Sequence, residues 1–344
     1  MEPRQEDQAR ERGALMRQLV LADRPVGRPV AATDFAMVEV PMPVPGSGQM
    51  LLATRWLGFE PAQKGWMENF GGYVAPIELG DVMRGMGVAE VVASEGGKFP
   101  VGTMVAGMTG WTEALVSDGT GFDACHPDLP PEAMLGLLGI PGLTAWVGLH
   151  DIGRPVAGDT VVVSGAAGAT GSVAGQLAKI AGCRVIGIAG GAEKCAWLVD
   201  EAGFDAAIDY KAGDVSKQLK ALASDGVDIV YDNVGGGVLD AMLARLTIGA
   251  RVVLCGGISR YEQAGKIAGP ANYFNLILRR ATMGGFIILD HEAEWPRIRA
   301  RLAALALAGR MTWQMDVLDG LENAPAALAR LFTGANRGKQ VVRL

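Results

Sequence analysis

Apolar positions change their period along this chain. From 19 to about 124, short apolar runs alternate with Gly/Pro clusters, and 49–56, 86–93, 101–108 and 112–116 read as strands. Pro41, Pro43 and Pro45 mark an early loop. That pattern predicts a partly open β-barrel. Helical spacing begins at Pro130-Pro131-Glu132, a helix-start signature, and a second helix is expected over 141–151. Beyond Asp159, strands are expected near 160–164, 184–189, 206–209, 227–232, 250–255 and 282–288. Helices are expected near 170–181, 192–202, 214–223, 236–245 and 272–280. Unbroken apolar runs such as Ile186-Gly187-Ile188 and Val252-Val253-Leu254 suit a parallel sheet covered on both faces. The tail reads as a helix over 293–308, a short strand after Met311, a helix over 321–332 and a last strand over 339–344. It is expected to return to the first domain.

Composition narrows the class. With 344 residues, 49% of them hydrophobic and 49 of them glycine, the chain has material for two α/β domains with close helix–sheet contacts. A net charge of −6 leaves no basic field for nucleic acid or an anionic membrane, and no apolar run is long enough to span a bilayer. Residues 1–12 are polar and charged, unlike a secretory leader, so a cytoplasmic location is expected. Cys125, Cys183, Cys195 and Cys255 lie singly, with no Cys-x-x-Cys spacing, and the adjacent Cys125-His126 is too few ligands for a zinc site.

The run Val161-Val162-Val163-Ser164-Gly165-Ala166-Ala167-Gly168-Ala169-Thr170-Gly171 carries the first chemistry. A β-branched strand stops at a string of small residues, and an amphipathic segment follows. Strand, glycine turn and helix form the context in which a dinucleotide diphosphate meets bare backbone N–H groups. The spacing is Gly-x-x-Gly-x-x-Gly, so the context strengthens a triplet that would be weak alone; a ligand-free packing contact is the alternative.

The second strand decides between nicotinamide cofactors. It ends Gly187-Ile188-Ala189-Gly190-Gly191-Ala192, without the acid that usually holds an unphosphorylated ribose. The first acid is Glu193, and Lys194 stands beside it. Small residues with a nearby cation predict the phosphorylated cofactor. A lysine in a helix's first turn opposes the helix dipole unless an anion is present, although a solvated lysine is the simpler alternative. Tyr210, closing the third strand, is placed either to reach that phosphate or to pack. Asn233, at the carboxyl end of the fourth strand, is a candidate for lining the crevice. Its neighbour Asp232 reads as a cap for the next helix. Cys255-Gly256-Gly257-Ile258-Ser259-Arg260-Tyr261 leaves the fifth strand with Tyr261 positioned to offer a hydroxyl.

Several stretches together resemble the zinc-independent alkenal/oxoprostaglandin reductase branch of the medium-chain dehydrogenase/reductase superfamily. They are Leu79-Gly80-Asp81-Val82-Met83-Arg84-Gly85, Gly139-Ile140-Pro141-Gly142-Leu143-Thr144-Ala145, the Ala166–Ser172 turn, the Gly187–Cys195 segment, Tyr231-Asp232-Asn233-Val234-Gly235-Gly236 and Gly338-Lys339-Gln340-Val341-Val342. The resemblance implies an α/β protein: an N-terminal GroES-like barrel completed by the C-terminal tail, plus a Rossmann domain. The boundaries expected are a flexible arm at 1–15, the catalytic barrel at 16–136 and 304–344, and the cofactor domain at 137–303. It also implies NADPH-dependent reduction of a carbon–carbon double bond conjugated to a carbonyl, in a homodimer. By motif matching, Gly168, Ala169, Thr170 and Gly171 would hold the diphosphate, and Lys194 and Tyr210 the 2′-phosphate. Asn233, Cys255, Gly256, Ile258, Ser259, Phe286, Ile287, Ile288 and Asn336 would line the rest, and Tyr261 would contact the substrate carbonyl.

The early position that supplies a zinc ligand in zinc alcohol dehydrogenases is Phe59-Glu60-Pro61 here, and there is no four-cysteine lobe. Reduction of an activated alkene needs only hydrogen-bond donors for the oxygen on which charge develops. The chain departs from its relatives at Glu60-Pro61-Ala62-Gln63-Lys64, where they usually show Asp-Pro-Tyr-Met-Arg; lysine cannot reproduce arginine's planar fork. Trp56, Glu60, Lys64 and Tyr73 are the expected substrate-pocket residues. Trp66, Phe70 and Trp111 are assignable equally to that pocket or to core. An NADPH:quinone reductase and a nicotinamide-binding protein with little turnover remain the alternative functions.

Overall fold

A computed structural model describes residues 14–68, 74–263, 265 and 267–344. The chain falls into two units, the first holding the described residues up to Leu135 together with Val317–Ala329 and Val341–Leu344. The second holds Gly136–Asp316 and Arg330–Gln340.

In the first unit, β1 (Leu15–Leu21) pairs antiparallel with β2 (Phe35–Pro41), so Leu15 belongs to a strand and not to the expected arm. β3 (Met50–Gly58), a short helix α1 (Ala62–Glu68), β4 (Met86–Ser94), β5 (Met104–Met108), β6 (Ala114–Ser117) and β7 (Asp123–Ala124) follow. β3 pairs with β4 and β6, and β4 with β5, all antiparallel. Alternation along β3 and β4 sends Met50, Leu52, Ala89 and Val91 inward, where they meet Val105 and Phe122 in one core cluster.

The second unit opens with α2 (Ile140–Val147), which carries Pro141 in its first turn and continues into a wider turn over Gly148–Gly153. Then come β8 (Thr160–Ser164), α3 (Ala169–Ile180), β9 (Arg184–Ala189), α4 (Ala192–Asp200) and β10 (Ala206–Asp209). They are followed by α5 (Val215–Leu222), β11 (Val227–Asp232), α6 (Gly236–Leu243), β12 (Leu246–Leu254), α7 (Asn275–Arg279), β13 (Thr282–Gly285) and α8 (Trp295–Leu307). The six strands form one parallel sheet in the order β10-β9-β8-β11-β12-β13. Val162, Ile186, Val230 and Val252 are buried at its centre, as the unbroken apolar runs require. β12 starts four residues before the expected 250 because Leu246 already pairs with Val227 across a register shift. β13 ends at Gly285, three residues before the expected 288.

The tail provides β14 (Met315–Asp319), α9 (Ala324–Thr333) and β15 (Lys339–Arg343). Residues 341–343 pair antiparallel with 56–58 on β3. Two tail stretches expected with the barrel, 304–316 and 330–340, lie instead in the second unit: α8 runs unbroken to Leu307, and Gly338 pairs with Gly168 beside α3. Among the described residues, no helix is long and apolar enough to cross a membrane.

Candidate active site

The sheet order reverses between β8 and β11, and in open α/β sheets the crevice at such a reversal is where ligands bind. At this point β8 turns into α3. Gly165 adopts a left-handed φ of +57°, and Gly168 precedes the first helical residue with no side chain capping the helix. No acid sits in the first turn, so the N-terminal N–H groups and the positive end of the helix dipole present an anion site. Gly171 is required by close approach: a Cβ there would lie 2.4 Å from the Gly165 carbonyl oxygen and 2.9 Å from the Ala166 Cα. Ala169 and Thr170 occupy the first helical turn between them.

Beside the turn, Ser164 and Asp232 position Asn233. Ser164 Oγ donates to Asp232 Oδ1 at 2.6 Å and accepts the Asn233 N–H at 2.9 Å, while Asn233 Nδ2 donates to the Ser164 carbonyl at 2.7 Å. Asp232 is fully buried and also accepts the N–H groups of Val234 and Gly235. It therefore braces the turn ahead of α6 and does not cap the helix as expected, since α6 starts after Gly235 with no side-chain cap. Burial raises its carboxyl above the ordinary value, against the pull of these donors. The spacing gave no sign of Ser164's part; the available signal was a polar residue at the end of a buried apolar strand.

The segment after β12 is laid onto the segment after β11. Cys255 N and Gly256 N donate to the Asp232 carbonyl, Ile258 N to that of Asn233, and Ser259 N to that of Val234. Ser259 Oγ adds a 2.6 Å bond to the Val234 carbonyl. The Cys255 thiol lies beside the Tyr231 hydroxyl, and burial pushes it up to about 12. Tyr231 is itself structural, donating to the Thr144 carbonyl at 3.0 Å. Tyr261 follows a single 3-10 turn at Ile258–Arg260, half-buried, with its ring 6.0 Å from that of Phe332. Phe286, Ile287 and Ile288 leave β13 half-buried. Phe286 presses on Gly148, where a Cβ would lie 2.8 Å from its ring.

At the far end of β9, Lys194 is half-buried in the first turn of α4, and its Nζ donates to the Gly334 carbonyl at 2.8 Å. Burial first, and then Lys211, hold its ammonium below the ordinary lysine value. The exposed Tyr210 ring lies against Gly190, where a Cβ would come within 2.8 Å of it. The nearby carboxylates are already engaged. Asp209 accepts the N–H groups of Gly191 and Lys211, which hold it below the usual range, and Glu193 pairs with Arg337 at 2.8 Å. Asn336 donates to the Gly338 carbonyl, and Gly338 N donates to the Ala167 carbonyl within the glycine turn. Thus residues 334–338 run from the glycine turn to the tip of β9. The structure brings the expected cofactor residues together along one edge of the sheet.

The expected substrate residues divide differently. Trp56 is half-buried on β3, with the Arg343 guanidinium 5.8 Å from its ring centroid. Glu60 is half-buried, and its N–H donates to Gln63 Oε1 at 2.9 Å. Lys64 does not line a pocket. It is fully buried, paired with Glu68 one turn later and donating to the Pro25 carbonyl at 3.0 Å, because α1 turns that face into the core. Trp111 is likewise core, stacked on Phe35 at 5.0 Å with Phe59 on its other side. Tyr73 and Phe70 lie outside the described residues.

Two family models match the chain: an N-terminal domain of oxidoreductase over residues 17–125, and a zinc-binding dehydrogenase over residues 169–304. The second match begins well after the loop Phe59-Glu60-Pro61, where the zinc enzymes carry a ligand. The chain is 38% identical to the NADPH-dependent curcumin reductase of Escherichia coli (strain K12), over 95% of this chain and 96% of the relative. It is also 38% identical to the NADP(+)-dependent 2-alkenal reductase of Nicotiana tabacum, with the same coverage of each. The crystal structure of CurA in complex with NADPH from Vibrio vulnificus superposes with a TM-score of 0.90 at 42% identity, over 95% of this chain and 98% of that one.

Proposed function

This chain belongs to the medium-chain dehydrogenase/reductase family, in the zinc-independent branch of the curcumin, alkenal and prostaglandin reductases, and from that premise we propose that it reduces the C=C bond of α,β-unsaturated ketones and aldehydes with NADPH. The observation that carries the cofactor is the uncapped, acid-free start of α3 at Gly168, with Lys194 at the tip of a strand that ends without an acid.

NADPH, when bound, supplies a hydride to the β-carbon. The chain's own residues bind, orient and stabilise. Gly168 brings the backbone N–H groups of Ala169, Thr170 and Gly171 to the diphosphate, and Lys194 and Tyr210 take the 2′-phosphate. Asn233, fixed by Ser164, and residues 255–259 line the rest of the cofactor with Phe286, Ile287, Ile288 and Asn336. The Tyr261 hydroxyl donates to the carbonyl oxygen as negative charge develops there. Trp56 and Glu60 are assigned to substrate recognition. The proton for the α-carbon comes from water.

We also assign a homodimer and a cytoplasmic location. β13 is an edge strand of the parallel sheet, and Tyr273, Phe274, Ile277 and Leu278 are all exposed nearby, an apolar face that a second copy would cover. Four cysteines that form no disulfide suit a reducing compartment. The test of the function is NADPH oxidation by the purified protein across enones, enals and quinones. Turnover of enones and enals but not of quinones supports the proposal. Quinone turnover alone would make the chain a quinone reductase, and NADPH binding without turnover would make it a binding protein.

A further inference from the structure

Residues 334–338 form a strap pinned at both ends. Gly338 N bonds the Ala167 carbonyl at 3.0 Å, Lys339 N bonds that of Gln314 at 2.8 Å, and Lys194 holds the Gly334 carbonyl at the other end. Between them, the Arg337 N–H donates to Asp316 Oδ2 at 3.0 Å, an oxygen that also accepts Arg330 Nη2 at 2.7 Å. Arg330 is thereby neutralised and bound to Gln340 as well. The strap's backbone is fixed, while the Arg337 side chain, 43% exposed, reaches Glu193 in the first turn of α4.

That pair does little for folding. Glu193 is 89% exposed, and a solvated ion pair of this kind contributes almost nothing to stability. What it does is hold a guanidinium beside Lys194. Lys211, exposed, has its ammonium 6.0 Å from the Tyr210 ring centroid at the same strand ends. Three cations therefore converge where β9 and β10 end. Their mutual repulsion is part of what holds the Lys194 ammonium below its ordinary value, since Lys211 and Arg337 both act on it in that direction. Asp316 opposes this effect and Glu193 already pairs with Arg337, yet three cations share one strand-end corner, where an anion can compete for them.

We propose that Arg337 is a specificity-determining residue for the phosphorylated nucleotide, releasing Glu193 to engage the 2′-phosphate as a second fork beside Lys194, with Lys211 as the outer cation. This rests on the reading that the chain binds NADPH. A guanidinium presents two parallel donors to a phosphate, which a lysine ammonium cannot, and Glu193 competes for it when the phosphate is absent.

The experiment is calorimetric titration of the full chain with NADPH, NADH and adenosine 2′,5′-bisphosphate, in wild type, Arg337→Leu and Glu193→Gln. Arg337→Leu is expected to weaken NADPH and the bisphosphate about tenfold and to leave NADH within about twofold. Glu193→Gln is expected to tighten both phosphorylated ligands by removing the competitor. Arg337→Leu is also expected to flatten the salt dependence of NADPH binding. A wild type that prefers NADPH over NADH, with that preference unchanged in Arg337→Leu, overturns the role given to Arg337 and leaves the cofactor reading standing. Equal losses for NADPH and NADH overturn it too, since the arginine would then serve the strap and not the phosphate. A wild type that binds neither nucleotide overturns both readings.

Discussion

The Lys194 ammonium lies 2.8 Å from the carbonyl oxygen of Gly334, 140 positions further along the chain. This bond holds the cation at the tip of β9, half out of water. Burial, followed by Lys211, keeps its pKa below the ordinary 10.5, so its positive charge is lost at a lower pH than that of a solvated lysine.

Affinity for NADPH is therefore expected to be full at neutral pH and to fall as pH rises through that lowered value, because the neutral amine no longer attracts a phosphate dianion. NADH affinity should stay flat over the same range. Lys194→Arg is expected to extend the plateau to higher pH, since the guanidinium keeps its charge. Lys194→Ala should weaken NADPH about tenfold or more at neutral pH. Nucleotide titrations at a series of pH values check this, and parallel curves for NADPH and NADH would remove Lys194 from the 2′-phosphate site.

The glycine turn makes a sharper steric demand. A Cβ at position 171 meets the Gly165 carbonyl at 2.4 Å, and that obstacle is backbone, so no rotamer change relieves it. Gly171→Val is expected to distort the turn, cost about 1–3 kcal/mol of stability and abolish measurable binding of both nucleotides. Thermal melting and calorimetry on the same preparation separate the two effects. Retained nucleotide affinity in a folded Gly171→Val protein would mean that the diphosphate is held elsewhere.

Lys64 has a different part from the one its place in the motif suggests. With Glu68 and the Pro25 carbonyl as partners and no exposure, it is a buried ion pair. Lys64→Ala leaves Glu68 as an uncompensated buried charge and is expected to destabilise the fold by about 3–5 kcal/mol. The double variant Lys64→Met/Glu68→Leu is expected to recover most of that loss, because an apolar pair needs no desolvation of charge. Urea unfolding of the three proteins checks the cycle. A Lys64→Ala protein of unchanged stability but altered KM would return the residue to the substrate pocket.

Much of the second unit was legible in the sequence because its strands are short, mainly apolar runs set between helical segments, and the runs at 160–164, 184–189, 206–209 and 227–232 match β8 to β11. The place of Asn233 at the carboxyl end of β11 was legible from the same pattern. Lys64 and Trp111 were less so. Nothing local distinguishes a lysine beside a pocket from one turned inward to a glutamate four residues on, although the Lys64–Glu68 spacing carried a hint. The strap was hidden for another reason. Its contacts with Ala167 and Lys194 are long-range pairings, and periodicity assigns a segment its element without saying which sheet it returns to. Residues 304–316 and 330–340 were accordingly expected with the barrel, although they lie in the second unit. Neither strand of the β1–β2 pair is expected from the sequence: the expected strands begin at 49, and Pro41 reads as loop although it sits at the last position of β2.

Tyr261 is the residue proposed to carry the chemical step. It stands at the end of the 3-10 turn Ile258–Arg260, whose backbone is fixed by the Ile258 and Ser259 N–H groups on the carbonyls of Asn233 and Val234. The hydroxyl is thus tied to the same strand-end scaffold that positions Asn233. Tyr261→Phe keeps the ring beside Phe332 and removes only the donor, so fold and nucleotide affinity should be unchanged. The oxygen of the enone gains charge only as hydride reaches the β-carbon, so the lost hydrogen bond is one that strengthens in the transition state. The expected result is a fall in kcat of about a hundredfold with KM nearly unchanged, the split that marks transition-state over ground-state binding. Steady-state kinetics on one enone, with NADPH titration of the same variant, measure both quantities. If kcat holds and KM rises, Tyr261 orients the substrate without stabilising the developing charge. If neither moves, another donor serves the oxygen.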